Sequence, residues 1–316
     1  MQLHAANGTA WLSSPAMADL YHTTRENIIQ IVGRILADGE LDESTTNSEF
    51  VVRKEDARQV RREVKLFNRS AGRIDWVKDG SNDQESAVDR SSMAHVNGID
   101  IYYEVQGQGE WFVLIGGLGV DSSVLRQYKT ALARNYRVLV FDNRGAGRSS
   151  KPDIPYSIAM MAQDTVSLMD ALGIKRANVL GVSLGGRIAL ELSLKNPQRV
   201  ANLILVATSP SVQSKLSPIA KLTKRVRSLS RRQQPYYAFR RQLAASSGYD
   251  CTDQLCEITA RTLIMYGASD RMATRAQAED MQRRIANCEV MGFSGGHLFV
   301  FLHADDVITE ILRFLA

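Results

Sequence analysis

Beyond residue 110 the chain is built from short apolar runs with almost no polar interruption: "WFVLI" (111–115), "YRVLVFD" (136–142), "ANVLGV" (177–182), "ANLILVA" (201–207) and "TLIMYG" (262–267). Strands buried on both faces of a sheet read this way, whereas half-exposed strands alternate. Between the runs lie amphipathic stretches that predict helices over 122–134, 158–172, 184–195, 275–285 and 305–314. Strands alternating with helices predict an α/β fold: a mostly parallel sheet covered by helices on both faces.

Ahead of this block the pattern changes. "MAHVNGIDIYYEV" is two alternating runs around Asn97-Gly98, the signature of a β-hairpin. "DGSNDQESAVDRSS" (79–92) is polar and nearly free of large apolar residues, and reads as a linker. Upstream, "SPAMADLYHTTRENIIQIVGRILADG" carries two helical patterns split at 22–24, with Ser14 and Thr24 as caps, Pro15 in a first turn and Gly39 as a stop. "EFVVRKEDARQVRREVKLFN" then predicts two strands around a charged turn, with a helix over 58–65 as the alternative. The expected organisation is a helix-turn-helix-like N-terminal region over 1–78, forming a small α+β extension, then the linker, then a main domain over 93–316.

Composition narrows the class. The 316 residues are 44% hydrophobic, enough to bury a sizeable core, and no apolar run approaches the roughly 18 residues needed to cross a bilayer. The first 20 residues lack a positive charge ahead of an apolar block, so no secretory leader is expected. Cys251, Cys256 and Cys288 are odd in number and form no CxxC, which points to reduced thiols in a cytoplasmic protein. No metal or cofactor motif stands out, and composition leaves the oligomeric state open. The net charge of +5 is uneven: residues 215–241 are strongly basic and contain no Asp or Glu.

Candidate chemistry begins at "NVLGVSLGGRIALELSL". Ser183 stands between Gly181 and Gly185 where a buried strand gives way to a helix. A tight strand-to-helix turn strains its central residue and needs small neighbours two places away, so that strand and helix can approach. It lifts the hydroxyl above the sheet, at a helix N-terminus that favours developing negative charge. The five-residue pattern alone arises in about one chain in ten of this length, so the flanking strand and helix carry the inference.

A serine needs a base. His95 lies in the hairpin and His303 opens the last helix. His297 follows Gly295-Gly296 on a loop after "CEVMGF", at the same sheet edge as Ser183, and is the expected base. Asp270 in "GASDR", again at a strand end, is the expected orienting acid; Asp142 is its rival, though "FDNRGAGRSS" reads better as a structural loop in which Asp142 and Arg144 make turn contacts. The oxyanion would be held by the backbone N–H of Leu184 and of Leu118 in "GGLG". "VFDNRGAGRSS" fails as a dinucleotide loop because the third glycine is missing and "KPDIPY" cannot start a helix.

With "IGGLG", "FDNRGAGRS", "GVSLGGRIA", "LIMYGASDR" and "GGHLF" in this order, residues 93–316 resemble the α/β-hydrolase superfamily, nearest its serine esterases, enol-lactonases and cofactor-free haloperoxidase-like enzymes. The resemblance implies Ser183, Asp270 and His297 as a triad, no cofactor, and a small ester or lactone as partner, cleaved through an acyl-serine. Gly116 departs from the histidine many members carry before the oxyanion residue. It also implies a helical cap between the sixth and seventh strands, here the short, basic 209–250. That segment reads as a positive rim for acidic substrates or as solvated helix faces, and Tyr236, Tyr237 and Phe239 as pocket lining or as packing.

The stretch "WLSSPAMADLYHTTRENIIQIVGRILADGELDEST" with the later "KLFN" resembles the start of the RhuM-like virulence protein family, and breaks off after Asn68 as in a shortened module. His22 stands where a helix-turn-helix usually has glycine. The alternative function this implies is a DNA-binding regulator with a ligand-sensing hydrolase-fold domain. The region's mildly acidic balance argues against strong nucleic-acid binding, which rests on phosphate contacts.

Overall fold

A computed structural model describes residues 4–6, 9–13, 46–55, 58–67, 90–212 and 234–316, with side chains from residue 91 onward. The chain divides into two compact units, Met1–Asp83 and Gln84–Ala316. In the first, β1 (His4–Ala6), β2 (Thr9–Ser13), β3 (Thr46–Glu55) and β4 (Arg58–Phe67) form a four-stranded antiparallel sheet in the order β1-β2-β4-β3. The 58–65 stretch is therefore strand rather than helix, its register with β3 running from Thr46↔Phe67 to Glu55↔Arg58. The two helices expected within 14–39, and with them the helix-turn-helix, lie outside the described residues.

The second unit is an eight-stranded sheet in the order β12-β11-β10-β9-β7-β8-β6-β5. Its strands are β5 (Arg90–Val96), β6 (Ile99–Gln106), β7 (Trp111–Ile115), β8 (Arg137–Phe141), β9 (Ala177–Val182), β10 (Val200–Val206), β11 (Arg261–Gly267) and β12 (Cys288–Phe293). Six run parallel, and β6 is antiparallel to both β8 and β5. β5 begins at Arg90, so 90–92 belong to the hairpin and not to the linker. An outer strand paired on one side only tolerates that polar sequence.

Uninterrupted apolar runs make sense because each strand feeds two cores. Val113 and Ile115 of β7 face one layer with Leu139, Val179, Leu203 and Ile264, while Phe112 and Leu114 face the other with Val138, Leu180, Ile204 and Met265. The first layer is closed by α2 (Ile158–Ala171), α3 (Leu184–Lys195) and α5 (Arg275–Arg284). The second is closed by α1 (Arg126–Leu132) and α7 (Ala304–Leu315), with the short α6 (Phe299–Leu302) leading into α7. The helix expected over 122–134 opens instead as a 3₁₀ turn, Ser122–Leu125, because the Asp121 side chain caps Ser123 N–H.

Strand order positions the site. From β7 the chain moves outward to β8, then returns across to β9 on the other side of β7. Loops leaving β7 and β9 therefore diverge at their carboxyl ends, which opens a crevice. The cap segment follows β10. Its described part holds α4 (Tyr236–Ser247), and its two ends pair at a Ser211↔Asp250 bridge. Below that bridge Arg187 of α3 donates to Ser246 Oγ at 2.7 Å and to Ser209 Oγ at 2.9 Å. Burial draws this guanidinium down to about 10, against a smaller upward pull from Cys251 and Tyr249.

The loop after β8 is held by a buried pair, Arg144 with Asp164 of α2, both under 4% exposed at the side chain. Removing one partner strands the other charge. Asp164→Asn is expected to cost about 3 kcal/mol of unfolding free energy, read as a lower urea midpoint at an unchanged slope.

Candidate active site

Ser183 ends β9 and caps α3 with φ 55° and ψ −112°, a region L-residues seldom occupy. The glycines around it are demanded by close backbone approach. A Cβ on Gly181 would sit 2.3 Å from the Gly185 oxygen, and one on Gly185 would sit 2.2 Å from the Ile115 oxygen. The elbow is thus wedged against both its own helix and the end of β7. Two further bonds hold it: Ser183 N–H donates to Val206 O at 2.9 Å, and the Thr208 hydroxyl donates to Ser183 O at 2.7 Å.

His297 lies on the loop between β12 and α6. Its Nε2 is 2.9 Å from Ser183 Oγ and its Nδ1 is 2.7 Å from Asp270 Oδ2. An ionised carboxylate only accepts, so Nδ1 carries the proton and Nε2 is left to accept the serine hydroxyl. The second Asp270 oxygen accepts Met272 N–H at 2.8 Å and Ala273 N–H at 3.1 Å, and its side chain is fully buried. Two backbone N–H groups thus hold the carboxylate from the side away from His297.

The acid and histidine loops are zipped together. Ala268 N–H donates to Phe293 O and Ser269 N–H to Gly295 O, both at 2.8 Å. Gly267 makes room for this, since a Cβ there would lie 2.7 Å from the Gly295 and Gly296 oxygens. Distances within the Ser183–His297–Asp270 line are consequently set by backbone pairing rather than by free side-chain rotation.

Opposite Ser183 runs the loop leaving β7. A Cβ on Gly117 would be 3.6 Å from Ser183 Cβ, so this loop passes alongside the hydroxyl, with half-buried Leu118 next. Leu184 is the first residue of α3, where helix geometry leaves N–H groups without an intrahelical partner. Asn143 Nδ2 donates to Gly116 O at 2.9 Å and holds the loop from the sheet side.

The rival residues lie elsewhere. Asp142 accepts Ser122 N–H at 2.6 Å and Arg148 N–H at 2.7 Å; burial pushes its carboxyl up while these donors pull it back. It serves the turn. His95 pairs with Asp100 on the exposed hairpin, and His303 meets Ser294 Oγ at 3.2 Å. Tyr236 and Tyr237 are exposed, Tyr237 donating to Lys151 O at 2.7 Å, while Phe239 is buried. Among the described residues no cluster of three or more His, Cys, Asp or Glu could hold a metal, and no helix is long and apolar enough to cross a membrane. Thr208 and Asn143 are the supports that sequence reasoning misses: Thr208 carries no local pattern, and Asn143 sits in "FDNRGAGRS" with nothing there to link it to Gly116.

If Ser183 is strained, glycine should relieve it. Ser183→Gly is expected to exceed Ser183→Ala in stability by about 1 kcal/mol, since both lose the hydroxyl and only glycine accepts the backbone. Chemical denaturation of the two variants checks this; an alanine variant of equal or greater stability removes the strain.

Residues 110–238 match the α/β hydrolase fold family. A protein of Azorhizobium caulinodans named as a carbamate hydrolase, RutD, is 39% identical over 113 residues, 36% of this chain and 43% of that one. The chain thus spans less than half the length of that relative. A poly(3-hydroxyalkanoate) depolymerase of Ectopseudomonas oleovorans is 26% identical over 235 residues, covering 64% of this chain and 83% of the relative. The crystal structure of the enol-lactonase from Burkholderia xenovorans LB400 superposes with a TM-score of 0.64 at 25% identity, over 71% of this chain and 99% of that one. The eight-stranded unit has the α/β-hydrolase fold.

Proposed function

We propose that the protein is a serine hydrolase that cleaves small carboxylic esters or lactones through an acyl-serine intermediate. The observation that carries this reading is the 2.9 Å contact between His297 Nε2 and Ser183 Oγ at a strained strand-to-helix elbow. An ordinary packing turn has no use for a base at hydrogen-bond distance, nor for a buried carboxylate that fixes the base's tautomer.

In the reaction, Ser183 Oγ attacks the carbonyl carbon while its proton passes to His297 Nε2. Asp270, hydrogen-bonded to Nδ1, holds the ring and stabilises the imidazolium. The N–H groups of Leu184 and Leu118 take the oxyanion. Collapse expels the alkoxide, which leaves with the proton from Nε2, and the acyl group stays on Ser183. Water then attacks the acyl carbon and gives a proton to Nε2. The second tetrahedral species releases the acid, and that proton returns to Ser183 Oγ. The books close with no cofactor or metal.

The relatives' names support the class. A carbamate, a polyester and a lactone each present a carbonyl carbon with a heteroatom leaving group, which one nucleophile and one oxyanion hole can serve. Ester or lactone is favoured here because alkoxides leave more readily than amide nitrogens.

Turnover of p-nitrophenyl butyrate by the full chain tests the reading. Ser183→Ala is expected to lose about 10⁴-fold or more in kcat and to resist labelling by a fluorophosphonate. Asp270→Asn should lose about 10⁴-fold while still folding, because the wrong tautomer is then favoured. Equal rates in wild type and Ser183→Ala would end the proposal.

A further inference from the structure

The cap helix hydrogen-bonds the loop that passes alongside Ser183 through the side chain of Gln242. Gln242, in the middle of α4, is fully buried. Its Oε1 accepts Gly119 N–H at 3.1 Å and its Nε2 donates to Arg144 O at 2.7 Å. Both halves of one amide are used, each on a different loop: one leaves β7, the other leaves β8. Gly119 directly follows Leu118.

The fit around this bond is close. Gly119 has φ +73°, and a Cβ there would lie 3.1 Å from Gln234 and from Phe239, residues at or near the start of α4. The loop thus carries no side chain of its own at the point where α4 rests on it. Asn143 holds the other end through Gly116 O. Gly116 is therefore held from the sheet and Gly119 from the cap, with Gly117 and Leu118 strung between.

We propose that Gln242 is a positioning residue for the oxyanion hole: its amide fixes the peptide that follows Leu118, so the hole keeps its shape only while the cap helix is seated. This rests on the hydrolase reading above. An oxyanion donor works by being aimed in advance, and a loop free to tilt loses that preorganisation. Misplacement of about 1 Å can cost on the order of 10²-fold in rate. A side chain that never touches substrate can act on the reaction in this way.

Gln242→Met keeps the length and removes both bonds; Gln242→Glu keeps an acceptor for Gly119 N–H. With p-nitrophenyl butyrate, and with sites counted by fluorophosphonate, Gln242→Met is expected to lower kcat about 10- to 100-fold with KM changed less than about threefold. Inhibition by a trifluoromethyl ketone, whose Ser183 adduct bears an oxyanion, should weaken by the factor lost in kcat/KM. Gln242→Glu should turn over well above Gln242→Met. A Gln242→Met protein that melts lower but keeps wild-type kcat per titrated site, or a Gln242→Glu protein no better than it, overturns the inference. Should Gln242→Met not fold, hydrogen exchange of wild type decides: Gly119 N–H must be protected, and free exchange there also overturns it. Wild type without Ser183-dependent turnover overturns the hydrolase reading and this inference with it; Ser183-dependent turnover indifferent to Gln242 overturns this inference alone.

Discussion

Close backbone contact at the end of β9 is the constraint on which the rest of the structure depends. Gly181, Gly185 and Gly186 let strand, helix and neighbouring chain approach to distances that any side chain would forbid; a Cβ on Gly186 would lie 2.4 Å from Thr208. Ser183 is held at positive φ by that crowding, and by bonds to Val206 at the end of β10 and to Thr208 just beyond it. A strained residue persists only where its surroundings over-determine it. Here the surroundings are the ends of β7 and β10 and the first turn of α3.

The same economy governs the partners. His297 and Asp270 sit on loops whose backbones pair with each other, so imidazole and carboxylate move as one body. Ser183 itself stands where the strand order reverses, between β7 and β9. Ser183, His297, Asp270 and the facing loop therefore come from four separate strand ends at one rim. Rigid strands fix their spacing, and the loops contribute only short reaches.

Much of this is legible from residues alone because it is locally encoded. Doubly buried strands leave apolar runs, and β7 and β9 coincide with theirs; β12, at the edge of the sheet, is only half-buried. The elbow announces itself through its glycines, and His297 and Asp270 through their place after strands. Other features have no local signature. β5 reaches back to Arg90 through polar residues, because pairing with β6 and not burial makes it a strand. β1 and β2 are short, and the sheet they join is defined by pairing with distant residues, β2 meeting β4 at Leu12↔Phe67. Gln242 lies 123 positions from Gly119, and nothing in either neighbourhood points to the other.

The Ser211↔Asp250 bridge has an architectural consequence. It closes the segment after β10 as a stem closes a hairpin, so whatever lies beyond it can lengthen, shorten or be exchanged while β10 and β11 keep their register. The entropy of closing such a loop grows only with the logarithm of its length. The segment can thus diversify by insertion at one address without rebuilding the sheet beneath it. The limit is that any such segment inherits the stem, with Ser211 and Asp250 as its fixed ends.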